Sequence, residues 1–355
     1  MFYVFGPAVS DEVKAAFNTR AAKDGLVNLS ASIATFPGTE PFSELMFGES
    51  AEATTTMEAA IKGQPVAFIQ STSAPVSDHA MQTLLALRTL KRYGAGPVAL
   101  IAPFQAFARQ DKRNHGRMES IGGDDYAFLL KAAGANSIVT AEVHSRASES
   151  FLSNHLGAEN VTLLSMDTLF ADYAKSRFDL ANVMVGAPDG ADKPDDAGQR
   201  RARLVRENLF GGDEAKRLIK IWKEHTGIHQ TKILKFEGDV KGKDCLIVDD
   251  MADGGSTLIN ASNAVKDKGA RSSHCMITHA ILSGNALEKI LTHKRLDGSF
   301  TIDALVITDT NPDVSAKIAR LSAQYPNFGQ RVKLLSTADM IYAATRKELQ
   351  RLAPK

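Results

Sequence analysis

The sequence holds few cysteines, no long apolar run and no excess of charge of either sign. Its 355 residues include two cysteines, Cys245 and Cys275, and both lie inside apolar, strand-like runs. This placement predicts two buried thiols in a reducing compartment, because their number and spacing fit neither a disulfide framework nor a zinc site.

Positive and negative side chains nearly cancel, with 42 Lys and Arg against 41 Asp and Glu. A general nucleic-acid or anionic-membrane binder would need a basic excess, although a local basic pocket for a small polyphosphate is not excluded. No stretch approaches the length of a transmembrane helix, and Met1–Ser10 lacks the basic flank and apolar run of a signal peptide. These absences predict a cytoplasmic protein with neither a nucleic-acid nor a membrane partner.

Short apolar runs alternate along the chain with longer helical patterns, which predicts an α/β fold of mainly parallel sheets flanked by helices. The length suggests two domains, over 1–160 and 161–325, with a helical closing segment over 326–355 that contains a helix at Ser336–Leu352. The predicted strands are Val66–Gln70, Val98–Ala102, Ser137–Val143, Val183–Ala187, Cys245–Val248, Cys275–Thr278 and Ala304–Thr308.

Two amphipathic helices have clear boundaries in the sequence. One is predicted over Asp78–Arg92, begun by Ser77 or Asp78 as the N-cap and ended by Gly94. The other is predicted over Gly255–Lys268. Two polar segments interrupt the alternation and are predicted to be loops, the second of them mobile; they are Gly190–Gly198 and Glu224–Gln230.

The segment Cys245–Thr257, CLIVDDMADGGST, combines a buried strand, paired carboxylates, a glycine turn and a helix start. Open α/β sheets bind ligands beyond the carboxyl ends of their strands, where Asp249 and Asp250 are expected to accept hydrogen bonds from a vicinal diol. The turn Asp253–Thr257 would present backbone N–H groups and a helix N-terminus to a phosphate. The alternative is that the aspartates cap the helix and the glycines turn the chain. Since no lysine follows the glycines, the segment is not a Walker A loop.

This segment resembles the phosphoribosyl-diphosphate loop of type I phosphoribosyltransferases and of ribose-phosphate pyrophosphokinases. Further segments resemble the pyrophosphokinases in their order along the chain, over roughly residues 40–312. They are QSTSAP (Gln70–Pro75) with Asp78, APFQAFARQDK (Ala102–Lys112), VHS (Val143–Ser145), APD (Ala187–Asp189), TH (Thr278–His279), SGN (Ser283–Asn285) and VITDTNP (Val306–Pro312).

The resemblance implies two tandem phosphoribosyltransferase-like domains and Mg²⁺-dependent transfer of a diphosphoryl group from ATP to the C1 hydroxyl of ribose 5-phosphate. It also implies an assembly of more than one subunit. The implied ATP-site residues are Arg109, Gln110, Asp111 and Glu52. The implied ribose 5-phosphate site comprises Asp249, Asp250, Asp253, Gly254, Gly255, Ser256 and Thr257. The implied metal ligands are His144 and Asp189.

Each of these assignments has an alternative in the residues alone. The string RQDKR at Arg109–Arg113 is typical of a solvated surface loop, His144 could be a structural histidine, and Asp189 before Gly190 is a common turn pair. In its functional role, Asp189 would hold either a second Mg²⁺ or the sugar.

The family carries a Lys-Arg-Arg group on a mobile catalytic loop, and an ungapped count back from Gly238 puts Lys223-Glu224-His225 there. Lys223 is then the expected catalytic cation, and His225 stands where the family has an arginine, as a weaker and pH-dependent cation. The alternative is a surface loop with incidental charges.

The family's FSDGE segment, through which a neighbouring subunit contacts adenine, is poorly matched by Phe47–Glu52, and the phosphate loop has Gly254 for the usual Thr and Ser256 for the usual Gly. The sequence is therefore that of a divergent member. Two other readings stay open: a non-catalytic regulatory paralogue that binds nucleotide or sugar phosphate, and a phosphoribosyltransferase that consumes the activated sugar.

Overall fold

In the computed structural model the described residues are 1–29, 32–35, 41–44, 51–113, 116, 118–190, 196–212, 215–227 and 230–354. The side chains of 32–35, 41–44, 51–54, 57, 223–227 and 230–234 are outside this description. The described strands are β1 (Phe2–Phe5), β2 (Val27–Asn28), β3 (Ser32–Thr35), β4 (Pro41–Glu44), β5 (Val66–Ile69), β6 (Val98–Ala102), β7 (Ser137–Ala141), β8 (Val161–Leu164), β9 (Val183–Gly186), β10 (Leu218–Gly227), β11 (Gln230–Glu237), β12 (Asp244–Ala252), β13 (Ser272–Ala280), β14 (Ala304–Thr308) and β15 (Val332–Leu335).

Helices alternate with most of these strands, as expected of a parallel α/β fold. The described α-helices are α1 (Asp11–Lys23), α2 (Ala51–Ile61), α3 (Val76–Arg92), α4 (Gly122–Ala133), α5 (Arg146–Leu156), α6 (Asp167–Arg177), α7 (Ala197–Phe210), α8 (Ser256–Asp267), α9 (Ala286–Thr292), α10 (Val314–Gln324) and α11 (Ala338–Leu352). No helix in the described parts of the chain has the length and apolarity needed to cross a bilayer.

The chain divides into two compact units. The first contains 1–164, 310–312 and 336–355, and the second contains 165–309 and 313–335. The segment 326–355, predicted from the sequence to be a single closing segment, is split between them. Its strand β15 belongs to the second unit, whereas its helix α11 belongs to the first.

The first unit is built on a six-stranded sheet in the order β2-β1-β5-β6-β7-β8, and all its pairings are parallel. β5 and β6 are apolar and buried along their whole length, because helices cover both faces of the sheet. One face packs against residues of α3, α4 and α5, and the other packs against α1 and α11. Strands β3 and β4 form a separate antiparallel pair.

The second unit is built on a seven-stranded sheet in the order β11-β10-β9-β12-β13-β14-β15, and only the β10–β11 pair is antiparallel. The helices α8, α9 and α10 contribute to the apolar core on one face. Helix α7 packs against β9 and β12. Both cysteines are buried and free, as predicted, since Cys245 lies on β12 and Cys275 on β13.

Several boundaries differ from the sequence prediction. Helix α3 begins at Val76 rather than Asp78; Pro75 occupies the N-cap without a side-chain hydrogen bond, and Asp78 lies in the first turn, where it favours the helix dipole. Helix α8 begins one residue later than predicted, after Gly255. Strand β12 continues through Asp249 and Asp250, because its pairing with β13 extends to Ala252.

The two predicted loops also differ from the structure. Within Gly190–Gly198, residues 191–195 lie outside the described part of the chain, and α7 already includes Ala197 and Gly198. Within Glu224–Gln230, the loop prediction is wrong for the described backbone. Glu224 to Gly227 end strand β10 and Gln230 begins β11, since the two strands pair in a long antiparallel hairpin.

Candidate active site

Two neighbouring strands of the second unit, β9 and β12, end beside each other with acidic residues. Asp249 and Asp250 lie near the end of β12, and Asp189 follows β9 by three residues. Carboxyl ends of parallel strands meet at one edge of the sheet, so the three carboxylates lie together. The charges of both Asp250 and Asp189 act on the Asp249 carboxyl.

The two aspartates of β12 are not equivalent. Asp250 is buried and its Oδ1 lies 3.5 Å from a terminal nitrogen of Arg201, whose side chain is only 8% exposed. Asp249 is half-buried, and its Oδ1 accepts a hydrogen bond of 2.9 Å from the backbone N–H of Asp250. Successive side chains of a strand point to opposite faces, so only one of the pair can face helix α7 and its arginine.

The pKa of the Asp249 carboxyl is raised well above its ordinary value. Burial is the largest cause, the negative charges of Asp250 and Asp189 add to it, and the positive charge of Arg201 opposes it. Of the charges that act on Asp249, the two negative ones therefore outweigh the positive one. A site of this kind favours a ligand that brings positive charge or hydroxyl donors.

Arg201 is a member of the site that sequence reasoning missed. It lies in the first turns of α7, inside the string RRAR at Arg200–Arg203. Helix α7 begins after Asp196, whose Oδ1 accepts N–H bonds from Gly198 and Gln199 at 2.9 and 3.2 Å. The Gln199 side chain also donates to the Asp189 carbonyl at 2.7 Å. These contacts hold the start of α7 against the end of β9. In the sequence, the only sign of Arg201 was the string RRAR, and nothing there shows which arginine is buried.

Beyond β12, the chain turns into α8 through Asp253, Gly254 and Gly255. Gly255 has φ +78°, and a Cβ there would lie 2.5 Å from Cγ1 of Ile290, so both the backbone and the packing require glycine. At Gly254 a Cβ would meet nothing within 4 Å, and Gly254, Ser256 and Thr257 are exposed. The N-terminus of α8 therefore opens on free space, which suits an anion.

A lysine lies against this turn, on a different helix. Nζ of Lys289, on α9, donates to Ser256 Oγ at 2.8 Å and to the Gly254 carbonyl at 3.4 Å. It stands four residues beyond Asn285, the end of the SGN segment, and nothing in its sequence surroundings distinguishes it.

In the first unit, the predicted ATP-site residues follow β6 and β7, which are parallel neighbours. Arg109 and Gln110 are exposed after β6, and His144 is half-buried after β7. The Ser148 hydroxyl, on α5, donates to the Ala108 carbonyl at 2.7 Å, so the two loops are held together. Arg109 and His144 thus follow neighbouring strands at one edge of the sheet.

Two of the four described non-glycine residues with positive φ lie at this edge. Phe107 and Glu142 have φ of +62° and +22°, which side chains other than glycine rarely adopt. Gln110 is turned towards α4: its N–H donates to the Phe107 carbonyl at 2.8 Å, and its Oε1 would lie 2.3 Å from a Cβ at Gly122. Asp111 is half-buried beside it.

The remaining predicted residues are described only in part. Lys223 and His225 have backbones in β10, where they pair with Ile233 and Thr231, and their side chains lie outside the described part of the chain. Glu52 lies in α2 and its side chain is likewise outside the description, as are residues 47–50 of the segment compared with FSDGE.

Among the residues that the structure describes, no group of three or more His, Cys, Asp or Glu side chains is arranged to hold a metal ion. This agrees with the chemistry of Mg²⁺, which usually takes one or two carboxylates from the protein and completes its shell with water and substrate phosphates. Asp189, beside the end of β12, offers an oxygen ligand for that partial role. His144 is a less suitable donor, because Mg²⁺ prefers oxygen.

The chain resembles known proteins over most of its length. Residues 29–134 match the family described as the N-terminal domain of ribose phosphate pyrophosphokinase, and residues 214–325 match the phosphoribosyl synthetase-associated domain. A ribose-phosphate pyrophosphokinase of Campylobacter jejuni is 31% identical over 296 residues, covering 83% of this chain and 84% of the relative. One of Agrobacterium fabrum is 30% identical over 291 residues, covering 82% and 83%.

The fold agrees with these matches. The crystal structure of phosphoribosylpyrophosphate synthetase from Mycobacterium smegmatis superposes with a TM-score of 0.75 and 25% identity, over 99% of each chain. Sequence similarity thus extends along most of the chain. It includes both α/β units of mainly parallel sheet, the carboxylates near the end of β12 and the glycine turn into α8. The chain belongs to the ribose-phosphate pyrophosphokinase family.

Proposed function

We propose that this protein transfers the diphosphoryl group of ATP to the C1 hydroxyl of ribose 5-phosphate, giving 5-phosphoribosyl 1-diphosphate and AMP, with Mg²⁺ as cofactor. The observation that carries the proposal is the second unit's cluster of Asp189, Asp249 and Asp250 beside an exposed glycine turn and a helix N-terminus. The activity named in the relatives supports it.

The sugar phosphate would bind along the edge formed by β12 and α8. Asp249, the more exposed of the pair, would accept hydrogen bonds from the ribose hydroxyls, while Asp250 keeps its partner Arg201. The 5-phosphate would lie in the turn Asp253–Thr257, where exposed backbone N–H groups and the helix dipole favour an anion.

ATP would bind to the first unit at the edge formed by the ends of β6 and β7. Arg109 offers a guanidinium for a phosphate or a flat face for a base, and Asp111 and Gln110 adjoin it. His144 would lie near the ATP-bound metal, and Glu52 would contact the nucleotide. Strain at Phe107 and Glu142 on either side of this edge is typical of a functional site.

In the reaction, the C1 oxygen forms a bond to the β-phosphorus of ATP, the bond from that phosphorus to the oxygen shared with the α-phosphate breaks, and AMP leaves with that oxygen. The hydroxyl proton passes to solvent. The protein's task is in-line positioning and charge stabilisation. When bound, Mg²⁺ would neutralise the phosphate oxygens, and Asp189 and His144 are the residues that would hold it. Lys223 and His225 of the β10–β11 hairpin would stabilise the transferring group.

The test is AMP production by the purified chain with Mg²⁺ and ATP, with and without ribose 5-phosphate. Lys223→Ala is compared with Lys220→Ala, a matched control on the same strand whose exposed side chain lies 3.9 Å from Glu237. We expect AMP that requires the sugar, a fall of about 100-fold or more in kcat for Lys223→Ala, and near-normal activity for Lys220→Ala.

Other results would change the assignment. Sugar-dependent AMP with an unaffected Lys223→Ala variant would keep the reaction but refute the catalytic role of the hairpin. ATP binding without AMP under any condition would indicate a regulatory paralogue, and a requirement for a nucleobase would indicate a phosphoribosyltransferase.

A further inference from the structure

The side chain of Lys289 lies against the turn that leads into α8. Its Nζ donates to Ser256 Oγ at 2.8 Å and to the Gly254 carbonyl at 3.4 Å. An ammonium group has three N–H donors, so these two contacts leave one N–H directed elsewhere. The side chain is exposed, and the space above Gly254 is open.

This arrangement is electrostatically unfavourable in the absence of an anion. The N-terminus of a helix carries partial positive charge, and a lysine is normally favoured at the opposite end. The first turn of α8 contains no acidic residue, and the nearest one along the chain, Asp253, precedes the helix by three residues. A lysine and a helix N-terminus that share one open space are both stabilised when a negative group fills that space.

The lysine is held in place by the packing of its helix. Its neighbour Ile290 is buried and lies against Gly255, at 2.5 Å from where a Cβ of that residue would be. Ala286, Leu287 and Leu291 of α9 are also buried. The backbone of α9 is therefore anchored to the turn itself, and the position of Lys289 follows from this contact.

We propose that Lys289 is a specificity-determining residue for the phosphate ester of the substrate. Its ammonium group pairs with the phosphate dianion in the turn and so discriminates ribose 5-phosphate from unphosphorylated ribose. This inference rests on the proposed function, since it assumes that a sugar phosphate binds at α8. It adds a cation from outside the segment Asp253–Thr257.

The test is equilibrium binding of ribose 5-phosphate to the full chain by titration calorimetry, without ATP. The proteins are the wild type, Lys289→Ala, Lys289→Arg and Lys268→Ala. Lys268 is an exposed lysine at the other end of α8 and serves as the matched control. Loss of one charged hydrogen bond predicts a Kd raised about tenfold in Lys289→Ala. We expect a smaller change in Lys289→Arg and none in Lys268→Ala.

Two further measurements test whether the loss of affinity comes from the charge of Lys289. Added salt should weaken ribose 5-phosphate binding more in the wild type than in Lys289→Ala, because an exposed ion pair is screened. The difference in affinity between ribose 5-phosphate and ribose should shrink in Lys289→Ala. In steady-state assays the same variant should raise the KM for the sugar phosphate more than it lowers kcat.

An unchanged Kd in Lys289→Ala, or an equal loss in Lys268→Ala, would overturn the inference. If ribose 5-phosphate binds but no AMP forms, the proposed function is wrong while the role of Lys289 in phosphate binding can still hold. A wild type that neither binds ribose 5-phosphate nor forms sugar-dependent AMP would contradict both.

Discussion

Replacing Arg201 with methionine removes the guanidinium that is paired with Asp250. The Arg201 and Asp250 side chains are 8% and 6% exposed, and their charged atoms lie 3.5 Å apart. With an effective dielectric constant of roughly 20, unit charges at this distance attract by about 5 kcal/mol. Truncating one partner of a buried pair costs roughly 3–5 kcal/mol, because the other charge stays buried. We therefore expect the free energy of unfolding at pH 7 to fall by about 3–5 kcal/mol in Arg201→Met.

The loss should depend on pH. In the folded wild type the pKa of Asp249 is already raised, chiefly by burial and then by its acidic neighbours, and loss of Arg201 raises it further. A carboxyl whose pKa is higher in the folded than in the unfolded state binds more protons when folded, so stability rises as the pH falls through that range. The deficit of Arg201→Met relative to the wild type should shrink as the pH is lowered from 7 towards 5.

Trp222 makes the assay specific for the second unit. It is the single tryptophan of the chain and lies on β10, with Lys235 Nζ 4.6 Å from its ring centre. Urea unfolding followed by its fluorescence therefore reports that unit, which matters because a protein of two units need not unfold in one step.

Two control variants distinguish the effect of the lost charge from the effect of the altered packing in α7. Arg200→Met changes the neighbouring, half-buried arginine of α7 and should leave the transition almost unchanged. Adding Asp250→Asn to Arg201→Met removes the unpaired charge and should restore part of the stability. An Arg201→Met protein that unfolds at the wild-type urea concentration, or whose deficit is the same at pH 5 and pH 7, would refute the reasoning.

Other predictions concern the thiols and the glycine turn. Burial raises the pKa of Cys245 and Cys275 to about 12. Neither thiol should therefore react with a thiol reagent at pH 8 in the native protein, whereas both should react in denaturant. Rapid labelling of the native protein would contradict the burial of the two thiols. Gly255→Ala should lower the free energy of unfolding by about 2 kcal/mol, because φ is +78° and the new Cβ would meet Ile290. Gly254→Ala should change the free energy of unfolding by less than about 0.5 kcal/mol, since that space is open. If both variants unfold at the same urea concentration by Trp222 fluorescence, the described conformation of the turn is wrong.

The fold class was predictable because its signals are local. The buried strands β5 and β6 are apolar over their whole length, a pattern typical of parallel strands covered on both faces, and both were predicted to within a residue. The boundary of β12 was not, because two aspartates normally mark the end of a buried strand. Here pairing with β13 continues the strand through them, and that pairing is contributed by residues distant in sequence.

The α/β alternation, the pair of aspartates before a glycine turn and the resemblance to the family are all visible in residue types at short spacings. Which charges meet depends instead on tertiary packing. Arg201 reaches Asp250 from a helix 49 residues earlier in the numbering, and Lys289 reaches Ser256 across 33 residues. Neither partner has a distinguishing local pattern, because the contact is created by the packing of α7 and α9 against β12 and the turn that follows it. The electrostatic balance of the site is therefore a property of the fold.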